Sequence, residues 1–275
     1  MRKFIRKITT SRYYAGIFEQ NKAKISKLRD ILSDYKSVNT LDNILKAYQA
    51  VFRRPDFYFS RILDQECTEY HFTTEQGFRV YGTKNPYFLN DIFALDQGMV
   101  YLDGGAYIGD TIFQLCRQLG GACKHIYAFE PNDENYKKLE SNVTKKDLHI
   151  TCMNAGLDNH NGFVPFVKAD SGSRVSDEGT ESIRVVDINK FLAELQENIP
   201  SFIKLDIEGK EFDVVYAMGN FIKTNQPDLA ISIYHRLEDL WEIPLLIHKL
   251  NPNYKIYLRH QSNFFTETVC YATLS

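Results

Sequence analysis

Apolar positions divide the chain into two regimes. Ile17, Ile25, Leu28, Ile31 and Leu32 follow helical spacing. Leu41, Ile44, Leu45, Tyr48 and Phe52 repeat that spacing, with Asn39 or Thr40 as the predicted N-cap and Pro55 as the predicted stop. Residues 69–82 (EYHFTTEQGFRVYG) alternate instead and turn near Gln76-Gly77, which predicts a short hairpin over part of the main domain and its ligand pocket.

From Met99 short apolar runs alternate with helical stretches. The predicted strands are 99–103, 125–129, 148–153, 202–207, 228–234, 255–260 and 268–274. In the helix predicted over 107–119, Ile108, Ile112, Leu115, Cys116 and Leu119 share one face. This alternation means right-handed βαβ units and a mostly parallel α/β sheet. The last two runs are joined only by QSNFFTE, so they form an antiparallel hairpin at the end of the sheet. The Gly- and Ser-rich stretch 161–187 is expected to add one or two strands. Two units follow: an N-terminal helical extension with the hairpin (1–85), and the α/β domain (86–275).

Composition narrows the function classes. The 275 residues are 44% hydrophobic and 25% charged, with a net charge of -2, which is globular and gives no argument for nucleic acid. No apolar run approaches the ~18 residues of a membrane span. Seven basic residues (Arg2, Lys3, Arg6, Lys7, Arg12, Lys22, Lys24) stand against Glu19 in the first 24 positions. That segment reads either as a solvated helix face or as a contact for an anionic membrane surface. The N-terminal helices could also pair two copies of the chain. The N-terminus lacks a continuous apolar stretch, and five scattered cysteines with no CxxC pair point to reduced thiols and a cytoplasmic setting.

The strongest chemical signal is VYLDGGAYIGDT. An apolar strand runs into Asp103, Gly104, Gly105 and Ala106, then Gly109 and Asp110 open an amphipathic helix. Small residues let a ligand approach the backbone, and the helix start offers free N–H groups. Ligands of open α/β sheets bind outside the C-terminal ends of strands. A dinucleotide would rest its pyrophosphate here, but Asp103 would repel it, whereas the ammonium and sulfonium of S-adenosylmethionine are cations. Glu130, ending the second strand, can accept both ribose hydroxyls of an adenosine ligand. Pro131 is expected to open the following helix. Asn154 and Ala155, after the third strand, lie where an adenine edge would sit, although Asn154 could equally shape a turn.

FIKLDIEGKEFDVV places Asp206, Glu208 and Glu211 within six positions at the end of the fourth strand. Asp206 should face the methyl-donor pocket. Asp206 and Glu208 could orient an acceptor or take its proton, or ligate a divalent cation, a reading not favoured over a metal-free site. Glu211 is either part of the site or a charge at a helix start. Tyr234 and His235 end the fifth strand, and His235 is the leading general base, against packing as the alternative. His260 is weaker because the sixth strand lies far out. His248 is structural, and His125 and His149 sit on the opposite edge. Arg174 could pair with an acidic acceptor or simply be solvated, and Tyr87 could pack on the cofactor.

At VYLDGGAYIGDT, IYAFEPN, FIKLDIEGKEFDVV, ISIYHRLEDL and IYLRH the chain resembles the FkbM-type family of S-adenosylmethionine-dependent methyltransferases. The resemblance runs from about Tyr87 to Tyr271, and LDIEGKE is its distinctive part. It implies a Rossmann-like seven-stranded class I methyltransferase sheet, order 3-2-1-4-5-7-6, with the last strand antiparallel. It implies methyl transfer to an oxygen, typically a hydroxyl of a sugar, glycan or secondary metabolite. It carries the cofactor loop onto Asp103, Gly105 and Gly109, and the ribose-binding acid onto Glu130. Two other readings compete: a binding or scaffold protein with a catalytically weak methyltransferase core, and an NAD-linked oxidoreductase, which Asp103 and the terminal hairpin disfavour.

Overall fold

The computed structural model describes residues 12–50, 55–62, 69–73, 79–82, 86–146, 148–167, 174–175, 179 and 181–275. The basic residues Arg2 to Lys7 and the predicted turn at Gln76-Gly77 lie outside them. Helix α1 (12–20) passes through Asn21 into α2 (Lys22–Ile31). Helix α3 (Tyr35–Gln49) starts earlier than predicted. Asp34, not Asn39 or Thr40, caps it, accepting from the Ser37 amide at 2.8 Å. Pro55 opens α4 (Pro55–Phe59) rather than closing α3, because a missing N–H costs nothing at a first helical position. Strands β1 (Glu69–Thr73) and β2 (Arg79–Gly82) pair antiparallel, as the alternation predicts.

The central sheet has seven strands: β3 (Val100–Gly104), β4 (His125–Phe129), β5 (Ile150–Met153), β10 (Phe202–Leu205), β11 (Asp228–Ser232), β12 (Lys255–His260) and β13 (Thr268–Thr273). They lie in the order β12-β13-β11-β10-β3-β4-β5. Counting only these strands along the chain, the order is 3-2-1-4-5-7-6. β13 runs antiparallel to both neighbours, while β11, β10, β3, β4 and β5 pair parallel.

Alternate residues of each strand feed two cores. Tyr101, Phe202, Ala230 and Tyr271 face α5 (Asp110–Leu119) and α6 (Asp133–Val143). Leu102, Ile203, Ile231 and Leu258 face the other layer, which holds α7 (Ile188–Glu194), α8 (Glu211–Ala217), α9 (Gly219–Asn225) and α10 (Asp239–Leu250). The 161–187 stretch departs from expectation. Strands β6 (Gly156–Asp158), β7 (Gly162–Val167), β8 (Arg174–Val175) and β9 (Glu181–Asp187) make a separate four-stranded sheet. Its apolar side is small, with Phe166, Ile183 and Val185 buried, which is why the sequence signal there is thin.

The N-terminal helices share the second core: Leu28, Leu41 and Ile44 pack with Ile243 and Leu258. They also cover the β12 edge. Ser33 N donates to Ile256 O at 2.9 Å, and the Ser33 and Ser37 hydroxyls accept from the Ile256 and Leu258 amides. An exposed strand edge invites pairing with another chain, and here that edge is occupied. Arg259, almost fully buried, reaches back to Asp34 at 2.7 Å. Among the described residues, no helix is long and apolar enough to cross a membrane.

Candidate active site

The C-terminal ends of β3, β4, β10 and β11 converge. Asp103, on β3, is fully buried and is the register partner of Lys204 on β10. Lys204 Nζ donates to Asp103 Oδ1 at 3.0 Å and to the carbonyls of Gly104 and Gly105 at 3.2 and 2.8 Å. Thr111 Oγ1 donates to Asp103 Oδ2 at 2.6 Å. Burial favours neutral Lys204, but Asp103 and Asp206 outweigh it and hold the ammonium above its ordinary pKa. The charge of Asp103 is thus already partnered inside the protein, by Lys204 and Thr111. Lys204 stands within electrostatic reach of Asp103, Asp110, Glu130, Asp206 and Glu267, and His235 shares Asp206 and Glu267 with it.

The loop after β3 is built for close approach. Gly104 packs under Leu205 and Leu157. Gly105 has φ +78°, and a Cβ there would lie 2.0 Å from the Asp206 carbonyl oxygen. The amides of Gly105 and Ala106 both donate to Phe129 O, at 3.0 and 2.9 Å, tying the loop to the end of β4. Gly109 (φ +89°) caps α5, and Asp110 begins it, exposed. Glu130 lies just past β4 and is buried. Its oxygens accept the amides of Tyr107 and Asn132, each at 2.9 Å. Burial outweighs those bonds and pushes its carboxyl up to about 7. Pro131 does not open the next helix. Asn132 caps α6, accepting from Glu134 N and Asn135 N, so Pro131 sits one residue before the cap. Asn154 and Ala155 follow β5; Asn154 donates to Asp133 at 2.5 Å, and Ala155 is buried.

The second cluster lies beyond β10 and β11. Asp206 Oδ2 accepts from Tyr87 Oη at 2.8 Å, and Oδ1 accepts from Tyr234 Oη at 3.1 Å. Burial raises the Asp206 pKa, but His235, Lys204 and the two tyrosines prevail and hold it below the ordinary carboxylate value. Tyr87 thus donates to a carboxylate, with Lys204 Nζ 5.1 Å from its ring centroid. His235 Nδ1 is 2.9 Å from Glu211 Oε1, and Nε2 is 3.4 Å from both Asp206 Oδ1 and Glu208 Oε2. Burial disfavours the imidazolium, but Glu211, Asp206 and Glu208 together push its pKa up to about 10. At neutral pH this imidazole already holds its proton, which works against the general-base role expected of it. Glu211 is fully buried at the first position of α8 and also accepts from the amides of Ile207 (2.7 Å) and Gly209 (2.9 Å). Glu208 and Gly209, with φ +58° and +98°, make the sharp turn between β10 and α8.

Other sequence candidates separate from this centre. His260 is buried, stacked on Phe59, and pushed down to about 3 by burial. Arg174 begins β8, and most of the stretch around it lies outside the described residues. Two groups escaped sequence reasoning. Lys204 had a signal, a lysine inside the apolar strand FIKL. Glu267 had none. It lies just before β13 at φ +65°, and burial and the nearby Asp206 push its pKa up to about 8.

A seven-stranded sheet of this order, carrying a glycine loop after its first strand and acids at the ends of the second and fourth, is the fold of class I methyltransferases. The model of the methyltransferase FkbM domain matches residues 103–259, from the buried aspartate of β3 to the buried arginine of β12, and the chain belongs to that family. Methyltransferase FkbM from Methylobacillus flagellatus KT has the same fold, with TM-score 0.74 and 24% identity over 94% of this chain and 60% of that one. Hexuronic acid methyltransferase AglP of Haloferax volcanii is 25% identical over 104 residues, 36% of this chain and 44% of the relative. The chain thus spans less than two thirds of each of these proteins.

Proposed function

We propose that this protein is a methyltransferase that moves a methyl group from S-adenosylmethionine to a hydroxyl oxygen of a sugar. One observation carries the cofactor assignment: the glycine loop after β3, where Gly105 at φ +78° leaves no room for a side chain, is flanked at the strand ends by Asp103, Glu130 and Asp206, a lining that disfavours a pyrophosphate. The glycine loop and Glu130 support this reading, since an acid just past the second strand of such a sheet is where ribose hydroxyls are accepted. The sugar acceptor is supported by the hexuronic acid methyltransferase relative.

S-adenosylmethionine supplies a methyl carbon made electrophilic by positive sulfur. The acceptor oxygen forms a bond to that carbon, the carbon–sulfur bond breaks, and methyl ether, S-adenosylhomocysteine and a proton result. The residues supply alignment and charge. Lys204 fixes the loop by its bonds to Asp103, Gly104 and Gly105. Tyr87 and Tyr234 hold the Asp206 carboxylate at the mouth, beside Glu208. With His235 protonated, the acceptor's proton goes to one of these carboxylates rather than to the imidazole.

Calorimetric titration with S-adenosylhomocysteine tests the cofactor, with NADH as comparison. Label transfer from methyl-labelled S-adenosylmethionine to hexuronic acids and neutral sugars tests the acceptor. Binding of the homocysteine product, lost in Glu130→Ala, supports the reading. Binding of NADH instead overturns it, and product binding with no transfer to any sugar overturns the acceptor class.

A further inference from the structure

We propose that His235 Nε2, Asp206 and Glu208 hold a divalent transition-metal ion on the acceptor side of the site, with Glu211 orienting the imidazole from behind. The inference rests on the methyl-transfer reading and gives that site its means of activating an alcohol.

The first observation is geometric. Nε2 lies 3.4 Å from Asp206 Oδ1 and 3.4 Å from Glu208 Oε2. Two donors about 2.1 Å from one ion at a tetrahedral angle are about 3.4 Å apart. Donor atoms of Asp206, Glu211 and His235 lie within 4.8 Å of one another, and Glu208 joins that group through its 3.4 Å approach to Nε2.

The second observation is independent of the acidic cluster. The His235 side chain is only 9% exposed, and neither ring nitrogen makes an aligned hydrogen bond although carboxylate oxygens surround both. Buried polar atoms are nearly always hydrogen-bonded. With Nδ1 2.9 Å from Glu211, Nε2 is the nitrogen that faces Asp206 and Glu208, and its lone pair suits an ion between them. Metal-ligating histidines use their second nitrogen in that way, toward a carboxylate. Glu211 occupies this position, and its own oxygens are pinned by the amides of Ile207 and Gly209. Tyr87 and Tyr234 pin Asp206 similarly.

One imidazole with two carboxylates suits Mn²⁺, Fe²⁺, Co²⁺ or Zn²⁺ better than Mg²⁺ or Ca²⁺, which prefer all-oxygen sites. Such an ion displaces the imidazole proton on binding. Its remaining positions can take the acceptor hydroxyl and lower that hydroxyl's pKa, which eases loss of its proton to a neighbouring carboxylate or water.

The test titrates Mn²⁺ into the full chain after EDTA treatment and dialysis, reading free Mn²⁺ by electron paramagnetic resonance. One ion per chain is expected, displaced by Zn²⁺. Glu208→Gln and Glu211→Gln should each weaken binding about 10- to 100-fold, and His235→Ala should abolish it. Circular dichroism melts identify variants that fail to fold, and Glu208→Gln, at a partly exposed position, keeps the test open if buried substitutions unfold the chain. Absence of Mn²⁺ and Zn²⁺ binding at millimolar metal overturns the inference, as does unchanged Mn²⁺ affinity in folded Glu208→Gln and His235→Ala. S-adenosylhomocysteine titrated into the metal-free protein separates the two claims. If it binds while no metal does, only the ion site falls; if it does not bind, the methyl-transfer reading falls first.

Discussion

Lys204 and Asp103 face each other across neighbouring parallel strands, Nζ to Oδ1 at 3.0 Å, both buried. The pair does two things at once. It neutralises the carboxylate at the end of β3, and it ties β10 to the carbonyls of Gly104 and Gly105. The glycine loop is thereby anchored to the strand that leads into Asp206.

Breaking this pair leaves a buried charge uncompensated. Lys204→Met should lower stability by about 3–5 kcal/mol, the usual cost of removing one partner of a buried ion pair. Lys204→Met with Asp103→Asn should regain part of that loss, because no lone charge remains. Urea unfolding of the single and double variants measures both; equal stability of wild type and Lys204→Met would show that the pair contributes nothing.

If Glu130 holds the ribose as proposed, cofactor binding should depend on pH. Burial raises its pKa to about 7, and the ionised form is the one that accepts two ribose hydroxyls. S-adenosylhomocysteine affinity should rise with pH, being about tenfold weaker at pH 6 than at pH 8, and Glu130→Gln should flatten the profile. The effect on folding has the opposite sense. A carboxyl whose folded pKa is raised binds its proton more tightly in the native state, so its contribution to stability declines as pH rises from about 4.5 to about 7. Calorimetric titrations across that range check the binding claim; a flat wild-type profile refutes it.

Gly105 has no room for a side chain. Alanine there would meet the Asp206 carbonyl oxygen at 2.0 Å and would have to keep φ +78°. Gly105→Ala should cost about 1–3 kcal/mol through strain and displace the loop from β10. Product binding should fall at least as far as stability, whereas Gly120→Ala, also at positive φ but with open space around it, should leave binding intact.

Asp34 and Arg259 clamp the N-terminal helices to the sheet edge. Burial raises the Asp34 pKa, but bonds from Arg259 and Ser37 outweigh it, and the net shift is downward. A lowered folded pKa means that the stabilisation is present above the ordinary value of 3.8 and is lost as pH falls through the lower folded one. Asp34→Ala should cost about 2 kcal/mol, less than a fully buried pair because Asp34 is partly exposed, and should increase protease cleavage within α1–α3. Thermal melts at pH 7 and at pH 3 should differ less in this variant than in wild type.

The β12 and β13 runs, the glycine loop and the strand-end acids could be read directly from the sequence because each has a local signature. Strand alternation, small residues at a turn and an acid closing an apolar run are all visible within a dozen positions. Helix boundaries were less legible. The start of α3 depends on Asp34, whose capping role is reinforced by Arg259, 225 positions away. The four-stranded sheet was under-read because β8 has two residues and β6 three.

The sequence by itself determined the parallel sheet, its reversed last strand and the placing of Asp103, Glu130, Asp206 and His235 at strand ends, since hydrophobic period and chain connectivity leave few alternatives. Only the tertiary structure decided what those groups are chemically. Whether an aspartate is a free anion or a neutralised one, and whether a histidine holds its proton, depends on charges a few ångströms away in space. Lys204, Glu211 and Tyr87 reach their partners from separate strands, helices and loops. Coulomb energy follows distance through the fold and not distance along the chain.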